Sequence, residues 1–280
     1  MAANQQQAEA WNGPESTHWV DNADRYDRQV AAVSDALFAF LALRPDDAVL
    51  DVGCGAGAVA RRAAHVARRV LGADISGPLV AVAVDRARAE SLTNAEFVVA
   101  DAQTHPFGEG AFDVVVSQFG LMFFDQPATA FASLRRSLAS GGRIAFTCWQ
   151  EMEANEWLSV VADAVARHVA LRSLGGLAGG PGMFALKDPS EIAALMDQVG
   201  FLNVDIEPVS TSVLIGGGGT LDGSVDFLLG MGMVRGLLSH LDPDGRTAAV
   251  ETIRGSLADR YEPGVGVRLG AAVWLVSATT

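Results

Sequence analysis

Lysine is almost missing from this chain of 280 residues: Lys187 is the only one, and 20 basic residues in all face 33 acidic ones, a net charge of -13. So acidic a surface repels phosphate backbones, which argues against DNA or RNA as a partner. Cysteine is scarce as well. Cys54 and Cys148 are expected as reduced, partly buried small residues at the ends of parallel strands, since two cysteines make no disulfide framework. No Cys/His cluster has metal-ligand spacing, so no metal is expected. Long apolar runs are lacking too, because Gly, Asp, Arg or Pro interrupts each one before membrane-spanning length. The polar residues 1–10 have neither the basic flank nor the apolar centre of a secretion signal, and a cytoplasmic protein is the expectation.

What is present is a large apolar fraction, 50% of residues, with a mean hydropathy of +0.24. That suits one elaborated α/β domain, or a domain with a smaller cap, and either buries a sizeable core. Abundant Ala, Gly, Val and Arg fit a GC-rich bacterial source. Nothing in the pattern specifies an oligomeric state.

The chain is organised around residues 48–60, AVLDVGCGAGAVA. Val49, Leu50 and Val52 make the apolar run of a strand buried on both faces; Gly53, Gly55 and Gly57 follow, and a helical pattern runs over 58–69. Strand, glycine turn and helix in that order present free N–H groups with no Cβ atoms to hold a ligand away. Asp51 decides the ligand's sign. Two residues before the first glycine, a carboxylate would repel a diphosphate and favour a cation. Glycine spacing alone leaves a nicotinamide dinucleotide open, because Gly53-x-Gly55-x-x-Ala58 satisfies the looser dinucleotide fingerprint.

Further strands follow in βαβ rhythm. Residues 69–74 end in Asp74, 17 positions after Gly57, where doubly wound folds place an acid for the ribose hydroxyls. Residues 95–100 lead into Asp101-Ala102-Gln103, residues 112–117 into Gln118 and Phe119, and residues 143–149 end at Trp149. Strand order sets Ser117, Gln118 and Phe119 beside the glycine turn, at the switch point where open sheets bind ligands. Phe119, Met122 and Phe123 either line an apolar pocket or pack under the next helix. Ahead of the first strand, Trp11, His18, Trp19 and Tyr26 either pack on the sheet flank or fold over the ligand and exclude water.

The pattern Asp51-x-Gly53-x-Gly55-x-Gly57 resembles motif I of the class I S-adenosylmethionine (SAM) methyltransferases. With Asp74, Asp101-Ala102 and the fourth strand in order, residues 48–149 are similar to the ubiquinone/menaquinone-biosynthesis-type group, the methyltransferase type 11-like enzymes. The resemblance implies a Rossmann-like α/β fold: a seven-stranded sheet, mostly parallel with its last strand antiparallel, helices on both faces and a helical lid. It implies SAM as cofactor, S-adenosylhomocysteine as product, and methyl transfer to O, N or C of a small, partly apolar metabolite. Asp101 and Ala102 would grip the adenine, and Asp51, Gly53, Cys54, Gly55, Gly57, Asp74, Ile75, Gln103, Ser117, Gln118, Trp19 and Tyr26 complete the expected cofactor set. Trp11, Phe119, Met122, Phe123, Trp149 and Phe184 are the expected substrate pocket. Relatives often carry arginine where this chain has Gln118, so an anion is not expected to be recognised there. His18 is the first candidate for a general base, with His168 and His240 as alternatives. A nicotinamide-dependent oxidoreductase and a non-catalytic SAM-binding protein are the competing readings.

Beyond Trp149 the expected units are a lid insertion over 151–187, a core helix and strand six over 188–213, a second lid insertion over 214–264, and strand seven over 265–280. Residues 1–47 form a helical cap and 48–150 the core. Gly216 to Gly219 are expected to form a mobile hinge.

Overall fold

A computed structural model describes residues 4–167 and 181–280. Residues 168–180 of the expected lid insertion, His168 among them, lie outside the described residues. The first strand, β1 (Ala48–Val52), is buried along its whole length. Its side chains alternate between two cores, Leu50 and Val52 on one face and Val49 on the other, as a pleated strand requires. Parallel neighbours flank it: β2 (Arg69–Asp74) pairs Asp51 with Gly72, and β4 (Phe112–Gln118) pairs Asp51 with Val116. Each large apolar side chain taken from water contributes roughly 1.5–3 kcal/mol, so Val114, Val115 and Val116 make β4 a strong central strand.

With β3 (Ala95–Val99), β5 (Leu138–Trp149), β6 (Leu202–Leu214), β7 (Tyr261–Glu262) and β8 (Gly266–Thr279), the sheet runs β3-β2-β1-β4-β5-β8-β6. Strands β1 to β5 pair in parallel, and β8 is antiparallel to both β5 and β6. This is the Rossmann-like arrangement with an antiparallel last long strand. Two details differ from the sequence expectation. The short β7 adds an eighth strand on β8, and β6 reaches Leu214, the first residue of the expected second lid insertion, its ladder with β8 continuing to Leu214↔Arg268.

Helices cover the sheet: α4 (Ala31–Leu41), α5 (Ala58–Ala64), α6 (Gly77–Ala89), α7 (Pro127–Ser137) and α9 (Pro189–Gln198). Helix α5 stops at Ala64 rather than Arg69, because Arg69 already opens β2. Three short helices come first, α1 (Gln5–Asn12), α2 (Pro14–Asp21) and α3 (Ala23–Gln29). Four more, α8 (Glu156–Ala166), α10 (Leu221–Gly230), α11 (Gly232–Leu238) and α12 (Pro243–Ala258), pack on one another, with α8 and α10 also against β8. Among the described residues no helix is long and apolar enough to cross a membrane.

The glycine run is no loose hinge. Gly216 to Gly219 all have positive φ, from 62° to 111°, and the turn is tied to α3 and to the start of β8. The Gly216 amide donates to Gln29 Oε1 at 2.9 Å, Arg25 Nε donates to Gly216 O at 2.9 Å, and the Gly219 amide donates to Val265 O at 3.1 Å. Glycine is needed because a Cβ at Gly216 would collide with the Arg25 guanidinium. The same two residues thus fasten the N-terminal helices to the 214–264 segment.

Candidate active site

The floor of the site is the turn from β1 into α5. Gly53, at φ +68°, lies so close to the β4 exit that a Cβ there would stand 2.7 Å from the Gly120 Cα. No other residue could let the two loops meet. The Gly55 amide donates to Asp74 Oδ2 at 2.8 Å and the Ser76 amide donates to Asp74 Oδ1 at 2.8 Å, so the acid at the end of β2 is oriented before any ligand arrives. Burial raises the Asp74 carboxyl, partly offset by those amides.

Asp51 is the anomaly. Its side chain is 1% exposed, and its Oδ2 has no hydrogen-bond partner. Burial pushes its carboxyl up to about 8, against relief from the Ala60 amide and with Asp74 nearby adding to the rise. A buried carboxyl without a counterion is costly unless something positive completes it.

At the end of β3, Asp101 Oδ1 accepts from the Gln103 amide at 2.9 Å and from Asn4 Nδ2 at 2.8 Å. Asn4 Oδ1 in turn accepts from the Asp125 amide at 2.7 Å. Asn12 accepts from the Gly77 amide at 2.9 Å and donates to Ile75 O at 3.0 Å, while Ser76 Oγ donates to Trp11 O at 2.7 Å. The first helices are therefore strapped across the loops that follow β2, β3 and β4.

These loops and helices enclose a cavity of about 1080 Å³. Ligand pockets run to roughly 300–1,000 Å³ for one drug-sized molecule, so this volume suits two molecules side by side. Of the expected cofactor residues, Trp19, Tyr26, Asp51, Gly53, Cys54, Gly55, Asp74, Ile75, Asp101, Ala102 and Gln118 line it. Of the expected pocket residues, Trp11, Phe119, Met122, Phe123, Trp149 and Phe184 all do. Trp19 stacks on Tyr26 with centroids 3.6 Å apart, and Phe119 on Trp149 at 4.2 Å. The aromatic segment before β1 thus folds over the cavity.

Four expected residues stand behind the wall. Gly57 backs onto Ala83 and Phe97, where a Cβ would not fit. Ser117 Oγ donates to Val52 O at 2.7 Å and accepts from the Gly120 amide, holding the two loops together. Gln103 Oε1 accepts from the Gln126 amide at 2.8 Å. His18 packs between Tyr26 and Phe227, and α10 covers it so closely at Gly230 that a Cβ there would strike the imidazole. Among the described residues the histidine on the cavity wall is His240, one of the expected alternatives. Sequence reading also missed Asn4, whose polar neighbourhood carries no signal, and Lys187, whose singularity was a signal.

Residues 50–146 match the family described as the methyltransferase domain. Over that stretch the chain is similar to a methyltransferase domain. Within its span fall the glycine turn, Asp74, Asp101 and Phe119. The chain is 31% identical over 150 residues to a ubiquinone/menaquinone biosynthesis C-methyltransferase of a Ruegeria species, covering 52% of this chain and 59% of that one. It is 39% identical over 98 residues to a demethylmenaquinone methyltransferase of Thermus thermophilus, covering 34% and 44%. The matched stretch thus has relatives of the ubiquinone/menaquinone type, as its motifs suggested. The chain spans between about a third and three-fifths of the length of such curated relatives. A Haemonchus contortus phosphoethanolamine N-methyltransferase 2, solved with phosphomonomethylethanolamine and S-adenosylhomocysteine, superposes with a TM-score of 0.60 at 16% identity, covering all of this chain and 60% of that one. At that identity the likeness is one of fold.

Proposed function

We propose that this protein is a SAM-dependent methyltransferase acting in the cytoplasm on a small, partly apolar metabolite. The observation that carries the reading is Asp51: a buried carboxyl with one unpartnered oxygen, at the mouth of a glycine turn. A positively charged nucleoside would complete it, and a dinucleotide diphosphate would be repelled by it. Asp74 would take the ribose hydroxyls on the lone pairs its two amide donors leave free, and Asp101 with Ala102 the adenine. When bound, SAM supplies an electrophilic methyl group that an acceptor atom displaces in line. The chain's task is then mainly positioning and the exclusion of water. Trp11, Trp19 and Tyr26 close the cavity, and the apolar wall at Phe119, Trp149 and Phe184 receives the acceptor. His240 is the wall residue able to accept a proton where the acceptor does not lose one unaided.

Calorimetric titration tests the reading. Heat is expected from SAM and S-adenosylhomocysteine and none from NADH; the reverse result would discard it. Labelled methyl transfer into a metabolite extract then separates an enzyme from a mere SAM-binding protein.

A further inference from the structure

The acceptor side of the cavity has two features that its role as a container does not explain. The first is Phe119. It has φ +64°, in the left-handed region, where an aromatic side chain is a genuine outlier and such strain clusters at sites that use it. Its amide donates to Thr147 O at 3.1 Å, which fixes the kink to β5. The next residue, Gly120, touches Gly53. The strained turn therefore stands directly against the cofactor floor, and its ring lies parallel to Trp149 at 7°. Trp149 is backed by Trp157 at 5.3 Å and is buried, whereas Phe119 is only half-buried and lines the cavity. A half-buried ring held parallel to a buried tryptophan and lining a cavity is a platform for one more flat ring.

The second feature is Lys187. It is the sole lysine of the chain and the only Lys or Arg among the described lining residues. Its backbone is pinned: Trp274 Nε1 donates to Lys187 O at 2.6 Å, and Cys148 Sγ donates to Leu186 O at 3.3 Å. Its neighbour Asp188 caps α9, accepting from the Ser190 amide and hydroxyl at 2.8 and 2.6 Å, and its carboxylate also feels the charge of Lys187 from outside the cavity lining. Among the described residues Lys187 has no ion-pair partner, and Glu191, the other charge on this wall, is exposed at the rim.

Resting on the methyltransferase reading, we propose that the acceptor is a planar aromatic acid, its ring stacked on Phe119 and its anionic group taken by Lys187. Within a chain of net charge -13, the one Lys or Arg side chain among the described lining residues is what selects a negatively charged acceptor.

The test uses the full-length protein saturated with S-adenosylhomocysteine and three probes: 2-naphthoate, 2-naphthamide, and decahydro-2-naphthoate. Calorimetry is expected to show the naphthoate bound about tenfold or more tighter than the neutral amide, and about fivefold tighter than the saturated acid. Lys187→Gln should erase the first preference and keep the second. Phe119→Asn, whose side chain tolerates the left-handed backbone, should erase the second and keep the first. Both variants should bind S-adenosylhomocysteine as the parent does, which shows them folded. Equal affinity for the three probes, no binding of any, or preferences unmoved by the two substitutions would overturn the proposal. Loss of S-adenosylhomocysteine binding by the parent protein would instead bring down the methyltransferase reading on which it rests.

Discussion

At the scale of single residues, Asp51 sets the chemistry and also a stability cost. Between the ordinary carboxylate range and about pH 8 the folded protein holds a proton there that the unfolded chain has lost. The stability this proton linkage contributes is fully present at low pH, declines as pH rises, and is gone above about 8. Asp51→Asn has no such titration. In urea denaturation without ligand its stability is expected to gain on the parent's as pH rises, by a few kcal/mol between about pH 5 and about pH 8.5, at about 1.4 kcal/mol for each pH unit in that window up to about 8. A difference that does not change with pH would show the carboxyl to be unperturbed. Cofactor binding should require the ionised form, so at pH 7 it is expected to release a proton, detected as a binding heat that varies with the buffer's ionisation enthalpy. The Asn variant should bind at least tenfold more weakly and release none. The sign of this residue's effect on a ligand was readable from sequence, because strand-then-glycine spacing fixes where Asp51 must stand. That its Oδ2 lacks a partner was not, since that depends on every side chain around it.

At the scale of elements, the core strands and their order could be read from apolar runs and glycine turns because each is a local pattern. The glycine run at 216–219 could not. Four glycines read as a hinge, yet their partners Arg25 and Gln29 lie about 190 residues earlier in the chain. Arg25 donates to Gly216 O at 2.9 Å and to Gly223 O at 2.7 Å, and its guanidinium lies 4.6 Å from the centre of the Phe227 ring. Burial lowers the Arg25 pKa, which marks a guanidinium partly withdrawn from water. Arg25→Ala is expected to destabilise the protein by about 2–4 kcal/mol, as two charged hydrogen bonds and a ring contact are lost together. Gly216→Ala should cost about 1–3 kcal/mol through the positive φ and the collision with Arg25. Denaturation midpoints check both. Near-parental stability for the pair would return this segment to the hinge reading. The overlong β6 and the added β7 escaped for a related reason: an edge strand exposed on alternate residues looks like a polar loop until its neighbour's register is known.

At the scale of the whole molecule, the site is closed by parts distant in sequence, and the N-terminal strap is the one that must open for exchange. Asn4 bridges Asp101 and the Asp125 amide, and Asn12 bridges Ile75 O and the Gly77 amide, so these two side chains supply four of the hydrogen bonds that tie α1 to three loops of the sheet, beside that of Ser76 Oγ to Trp11 O. Each contributes about 0.5–1.5 kcal/mol net, which makes the closed state favoured but reversible. The core strands do not depend on these contacts, since the interior of the sheet is buried between its own helices. Replacing Asn4 and Asn12 together by alanine should therefore speed release of S-adenosylhomocysteine by about tenfold or more while moving the thermal midpoint little. Stopped-flow tryptophan fluorescence reads the release directly, because Trp11 and Trp19 sit in the strap and line the cavity. An unchanged release rate would mean that α1 stays in place through exchange and that ligand enters elsewhere, beside α11 and His240 on the opposite wall.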